Sequence, residues 1–227
     1  MALDSQSFHT GGSGMIEVLI ADDHAMVRQG FRAFLEQGCD IKVVGEAADG
    51  LETLGLVKEL NPDIALMDIV MPKVNGILAT RQIQYLGVKT KVIMVSMCSE
   101  SVLVQQAIHN GARGYILKSS EKEELIQAIK IVHRGKVYFC PEIMEILIAR
   151  ISDPTQITGT DIFTLLTARE IEVLQLISEG ETNTSIAVKM NIGVKTIEKH
   201  RSTIMAKLNI HHTAGLVKYA IKNGLAL

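Results

Sequence analysis

The chain has 227 residues, 47% of them hydrophobic and 21% charged, with a formal net charge of −2, an ordinary globular composition with room for two domains, each with its own core. No apolar run approaches the roughly 18 residues of a membrane span, and the start lacks the basic and apolar regions of a secretory signal, so a cytoplasmic protein without a membrane partner is expected. Cys39, Cys98 and Cys140 are odd in number, widely spaced and without a CxxC pair, which argues against a zinc cluster or disulfide framework and for reduced, packing thiols.

Residues 1–14 have no periodicity and end in a Gly/Ser stretch just before a second methionine, Met15. They read as an expression-tag remnant, the alternative being a native disordered arm. From Ile16 to about Arg134, short apolar runs near 16–21, 41–46, 63–68, 91–96 and 114–117 alternate with stretches of helical length. That alternation predicts an α/β domain over 15–134, doubly wound around a five-stranded parallel sheet of the flavodoxin-like kind. Leu125, Ala128, Ile129 and Val132 recur with helical spacing, and the strands, apolar on both faces, predict a sheet buried on both sides. Residues 135–163 read as a linker: Pro141-Glu142 opens a short helix to about Arg150, and a Pro, Gly and Thr stretch follows. The rest, 164–227, is helical throughout, with helices expected near 168–179, 183–190, 194–208 and 213–223. Thr167 and Glu170 form a capping-box pattern and Gly180 marks a stop. A small all-α four-helix domain is expected there.

The run Ile64-Ala65-Leu66-Met67 ends in Asp68, and Val18-Leu19-Ile20-Ala21 ends in Asp22-Asp23. If these strands are parallel neighbours, three acids converge at the carboxyl edge of the sheet, where open α/β folds bind their ligands. Like charges this close call for a cation. Oxygen-only donors suit Mg2+, and a metal-held aspartate is a candidate phosphoryl acceptor. Ser96 and Lys118 stand at the ends of two further strands. Blander readings are an N-cap role for Asp22 and Asp23 and a solvated surface position for Lys118.

The acid pair, Asp68 followed by Met71-Pro72 and Gly76, the stretch Val92-Ile93-Met94-Val95-Ser96, and Gly111 through Lys118 together resemble the receiver domain of two-component response regulators. The resemblance implies that Asp68 takes a phosphoryl group from a phosphohistidine on a sensor histidine kinase. Mg2+ would be held by Asp23, Asp68 and the backbone carbonyl of Val70, with Asp22 acting largely through water. Lys118 and the Ser96 hydroxyl would meet the charge on the phosphoryl oxygens. Tyr115 would be the switch aromatic, its ring turning inward as Ser96 moves toward the phosphoryl group; a plain core aromatic is its competitor. Val70 and Cys98, each two residues past a site residue, carry no group that orients water, so a long-lived phosphoryl-Asp68 is expected.

Residues 1–163 carry 15 Lys and Arg against 20 Asp and Glu, and 164–227 carry 8 against 5, too slight a basic excess to establish DNA binding by itself. The run Leu166 to Leu174, Glu179-Gly180, and Ile192 to Arg201 resembles the LuxR-type helix-turn-helix, and with a receiver in front the whole chain resembles a NarL/FixJ-family response regulator. On the helix at 194–208, Ile197, Ile204 and Leu208 form a buried face and the opposite side is polar. By family position, Glu198, Lys199 and Ser202 face bases, while Lys195, Thr196 and Arg201 contact or support the DNA backbone; His200 reads as structural. Gly193 stands where the family often has a serine cap, a change of only a few tenths of a kcal/mol. Val217, Ala220 and Ile221 on the last helix are expected to be exposed and, by resemblance, to pair two copies on double-stranded DNA with inverted or tandem half-sites; packing within the same domain is the alternative. Two other readings compete. A Mg2+-dependent phosphatase would need a second acid where Val70 stands, and a passive receiver would not need the full set of acids, Ser96 and Lys118.

Overall fold

The computed structural model describes residues 14–38, 40–97, 99–152, 165–223 and 225. Residues 1–13, Cys39, Cys98 and the linker stretch 153–164 lie outside them. Five strands fall where the apolar runs lie: β1 Ile16–Ala21, β2 Ile41–Ala47, β3 Ile64–Met67, β4 Lys91–Ser96 and β5 Gly114–Leu117. All neighbours pair in parallel, in the order β2-β1-β3-β4-β5. Parallel neighbours need crossovers, supplied by α1 Ala25–Leu35, α2 Gly50–Leu60, α3 Gly76–Tyr85, α4 Ser101–His109 and α5 Lys122–His133.

Residue alternation sorts the core into two layers. Val18, Ile20, Ile64, Leu66, Ile93, Val95 and Ile116 pack with Leu125, Ala128, Ile129 and Val132 of α5. Leu19, Ala21, Ala65, Met67, Met94 and Tyr115 point the other way, against the side covered by α2, α3 and α4. With both faces covered, the strands read as near-continuous apolar runs.

The sheet has one strand more than the five expected. Tyr138–Phe139, which the sequence placed in the linker, forms a short β6 parallel to β5. The free edge of β5 draws it in: the Tyr138 and Cys140 N–H groups donate to the Arg113 and Tyr115 carbonyls at 3.0 and 3.1 Å. The Tyr138 hydroxyl donates to Glu124 of α5 at 2.9 Å, and burial together with that bond pushes the phenol up to about 12. Cys140, free and fully buried, and Ile143 at the start of α6 (Pro141–Ser152) then pack into the core.

Beyond the linker stand α7 Ala168–Ser178, α8 Asn183–Met190, α9 Val194–Leu208 and α10 Thr213–Lys222. The capping box is formed, with Thr167 Oγ1 accepting from the Glu170 N–H and Glu170 accepting from the Thr167 N–H. Glu170 is also tied to Lys207 of α9 at 2.7 Å. Leu166, Ile171, Leu174, Ile186, Ile197, Ile204 and Leu216 close a small core that continues into the apolar layer on the α2 to α4 side of the sheet. Buried hydrogen bonds join the halves. Gln175 of α7 donates to the Met71 carbonyl at 2.7 Å, and Gln106 of α4 donates to Asn223 at the end of α10 at 3.1 Å.

Candidate functional site

Register places the acids. Ala21 of β1 pairs with Met67 of β3, so the next residues, Asp22 and Asp68, leave the sheet side by side, and the Asp68 N–H donates to the Ala21 carbonyl at 2.8 Å. Ser96 pairs with Leu117 across β4 and β5, so Lys118 follows at the same edge, its N–H bonded to the Ser96 carbonyl at 2.8 Å. Asp22, Asp68 and Ser96 are buried and Asp23 is more open. The β3–α3 loop can fold back only because residue 76 is glycine. A Cβ there would stand 1.8 Å from the Asp68 carbonyl oxygen.

Lys118 is no surface lysine. Its side chain is 12% exposed and its ammonium lies 2.6 Å from Asp22 Oδ2 and 2.8 Å from Asp68 Oδ2. Burial raises the Asp68 carboxyl above the ordinary carboxylate value, against the pull of the Lys118 hydrogen bond, and the charge of Asp22 raises it further. Burial works to lower Lys118, but its bonds to Asp22 and Asp68 win and hold it above its ordinary value. Asp68 Oδ1 accepts from the Ile69 N–H at 2.8 Å. The N-cap reading of the acid pair is not what forms: the cap of α1 is His24, and Asp22 Oδ1 instead accepts the His24 N–H at 2.8 Å while the Asp22 carbonyl accepts from Arg28 at 2.7 Å. Asp22, Asp23 and Asp68 each bring an oxygen to one cluster, together with His24. A hard-cation donor set in which an ammonium already balances two buried carboxylates fits a Mg2+ ion. Tyr115 is fully buried in the core, and Val70 is half-buried beside the site. Cys98 lies outside the described residues.

The second candidate surface is α9. Ile197 and Ile204 are buried and Leu208 half-buried, while Lys195, Thr196, Glu198, Lys199 and Ser202 are exposed. Gly193 is the N-cap, without a side-chain bond. Arg201 is half-buried and donates to Asn183 of α8 at 3.0 Å and to Thr213 of α10 at 2.8 Å, which fits support of the helix rather than outward contact. The polar face of this helix is open while the two halves are docked. The expected exposure of α10 is corrected in part. Ile221 is 43% exposed, but Val217 is half-buried and Ala220 fully buried, since Leu216 and Ala220, four residues apart, form the face that α10 turns inward as it packs against α7.

Sequence reasoning missed the groups that join the halves. Gln175, Gln106 and Asn223 are polar residues on amphipathic helices, 3%, 6% and 5% exposed, and no local pattern separates them from solvated ones. Gln175 binds the loop three residues past Asp68, so the effector half touches the acid site's own loop.

A carboxyl-edge acid cluster bridged by a buried lysine, ahead of an open helix-turn-helix face, defines a two-component response regulator. The receiver-domain family (response regulator receiver domain) matches residues 18–130 and the luxR family of bacterial regulatory proteins matches residues 164–220. The oxygen regulatory protein NreC of Staphylococcus aureus is 39% identical over 214 residues, covering 92% of this chain and 99% of the relative. A LuxR-family two-component response regulator from Aurantimonas sp. SI85-9A1 matches with 35% identity and a TM-score of 0.58 over 61% of this chain and 99% of that one. The response regulator RcsB in complex with DNA matches with 26% identity and a TM-score of 0.58 over 92% and 99%. The chain belongs to the NarL/FixJ family of response regulators, transcription regulators that join a receiver to a LuxR-type DNA-binding domain. Among the described residues no helix is long and apolar enough to cross a membrane.

Proposed function

We propose that the protein is a cytoplasmic transcription regulator switched by phosphorylation of Asp68, with a sensor histidine kinase as donor. The observation that carries this reading is the Lys118 ammonium bridging Asp22 and Asp68 at the sheet edge. An ammonium in that place is poised to follow the phosphoryl oxygens, and the buried Ser96 hydroxyl can donate to one of them. Asp22, Asp23 and Asp68, with the Val70 carbonyl, are the residues that would hold Mg2+, which supplies positive charge for the transferred group. The missing acid at Val70 speaks against an aspartyl phosphatase.

The output follows from the docked geometry. Gln175 ties α7 to the Met71 carbonyl, and Gln106 ties the end of α10 to α4. A shift in the Asp68 loop or α4 releases α7 and α10 for pairing of two copies. That pairing sets two α9 helices on two half-sites, with Glu198, Lys199 and Ser202 toward bases and Lys195, Thr196 and Arg201 at or behind the backbone contacts. Ile221 is the exposed apolar contact on α10, with Val217 beside it, whereas Ala220 serves the packing on α7.

The test measures binding of the full chain to genomic DNA fragments with and without a small-molecule phosphodonor and Mg2+, and again with Asp68→Asn. Tighter binding only for phosphorylated wild type is expected. Equal affinity in all three conditions refutes the switch.

A further inference from the structure

Docking leaves a cavity between the two halves, beside the loop that follows Asp68. Its volume is about 540 Å3, within the range of small-molecule sites, which favour domain interfaces. Leu51 at the start of α2, with Pro72 and Val74 of the β3–α3 loop, forms the receiver wall, and Leu176 of α7 and Met190 of α8 form the opposite one. The receiver wall is preformed, because α2 and the loop are in close contact: a Cβ at Gly50 would stand 2.0 Å from the Val74 carbonyl oxygen. Leu51 is 58% exposed, an apolar side chain that an occupant would remove from water.

The basic groups around the cavity already have partners. Lys73 is paired with Asp49 at 2.5 Å, Arg169 with Glu172 at 2.6 Å and Lys189 with Glu181 at 2.5 Å. A charged ligand would have to break one of these pairs or enter without a counter-ion, whereas an uncharged apolar one leaves them intact. Glu179 also lines the cavity and accepts from the Gln175 amide at 3.2 Å, and its carboxylate keeps lone pairs for one further donor. The complementary molecule is therefore apolar and uncharged, with a single hydrogen-bond donor such as an aryl N–H or O–H.

We propose that this cavity binds an uncharged, apolar small molecule bearing one N–H or O–H, which holds the two halves docked. With one wall on the loop after Asp68 and the other on α7 and α8, such a molecule binds the docked form better than the separated one, and by linkage it opposes release. At a hundred times its dissociation constant it shifts the docking equilibrium about a hundredfold. The effect on release rests on the reading that phosphorylation of Asp68 frees α7; the binding itself does not.

The test titrates the full chain with N-phenyl-1-naphthylamine, an uncharged aromatic amine whose fluorescence rises in apolar surroundings. Saturable binding of one probe per chain is expected. Leu51→Glu should weaken it by about tenfold or more, because it places an unpaired carboxylate in the cavity wall. Circular dichroism should show the fold of this variant unchanged, since residue 51 is exposed. A small-molecule phosphodonor with Mg2+ should weaken the probe on wild type and not on Asp68→Asn. Lack of saturable binding overturns the proposal, as does an affinity that Leu51→Glu leaves unchanged, which places the probe elsewhere. Failure of the underlying reading looks different: Leu51→Glu then weakens the probe while the phosphodonor has no effect, which keeps the binding site and refutes release of α7 as the switch.

Discussion

Replacing Gln175 by alanine removes a buried side-chain bond that joins α7 to the loop of the phosphoacceptor. Both partners are buried, at 3% exposure for Gln175 and 1% for Met71, and the bond is 2.7 Å long. In the docked arrangement the truncated residue leaves the Met71 carbonyl buried without that donor, a cost of about 1–3 kcal/mol. When the halves are apart, residue 175 faces water and the loss is small. The substitution therefore acts on the docking equilibrium, shifting it by a factor of roughly 5–150 per protomer. If pairing of two copies requires release of α7 and α10, sedimentation equilibrium without a phosphodonor should show the dimer constant of Gln175→Ala strengthened by that factor for each protomer released. Small-angle scattering at low concentration should show a larger radius of gyration. Gln106→Ala should act in the same direction more weakly, its bond being 3.1 Å long. A dimer constant unchanged by Gln175→Ala refutes the argument that docking restrains pairing.

Lys118→Met leaves Asp22 and Asp68 facing each other in a buried site without their ammonium. It should cost about 3–5 kcal/mol in denaturant melts at neutral pH, with part of the loss restored by millimolar Mg2+; a loss below about 1 kcal/mol contradicts the bridge. Gly76→Ala places a Cβ 1.8 Å from the Asp68 carbonyl, and the forced loop shift should cost about 1–3 kcal/mol and abolish labelling by a phosphodonor. The carboxyls of Asp49, Asp63 and Glu170 are each lowered: burial pushes them up, but bonds from Lys73, Lys89 and Lys207 and from backbone N–H groups pull harder. Lowered folded values mean stability that is full above the ordinary carboxylate range, about 3.9–4.3, and lost as pH falls through the folded values. Circular dichroism from pH 6 to 2 should show an acid transition, and Lys207→Met should move the C-terminal part of it to higher pH. Phosphoryl-Asp68 should persist for minutes or longer in the purified protein because Val70 cannot orient an attacking water; loss within seconds contradicts this.

The strands at the site were legible because buried parallel strands show as short apolar runs, and the acids were legible because each breaks such a run at its end. The helices of the C-terminal half were readable from Thr167, Gly180 and the spacing of Ile197, Ile204 and Leu208. Other features depend on partners distant in sequence. The residues of β6, Tyr138-Phe139, carry no strand pattern of their own and pair only because β5 leaves an edge beside them. Lys118 could be placed at a strand end, but not in a bond with both Asp22 and Asp68. The amides of Gln106 and Gln175 resemble any solvated residue until the opposite half is present. Ala220, read as a contact for a second copy, is claimed by α7 within the same chain.

The pairing of β6 with β5 also decides where this protein can be divided. A receiver cut at residue 134, where its own pattern ends, would leave the Arg113 and Tyr115 carbonyls of β5 without the donors of Tyr138 and Cys140. It would also strip the buried Cys140 and Ile143 from the layer beneath. An open parallel edge of that kind invites strand addition by a neighbouring molecule. A piece cut after α6 keeps that edge paired, so the tether to the DNA-binding half begins from a segment already built into the receiver's sheet.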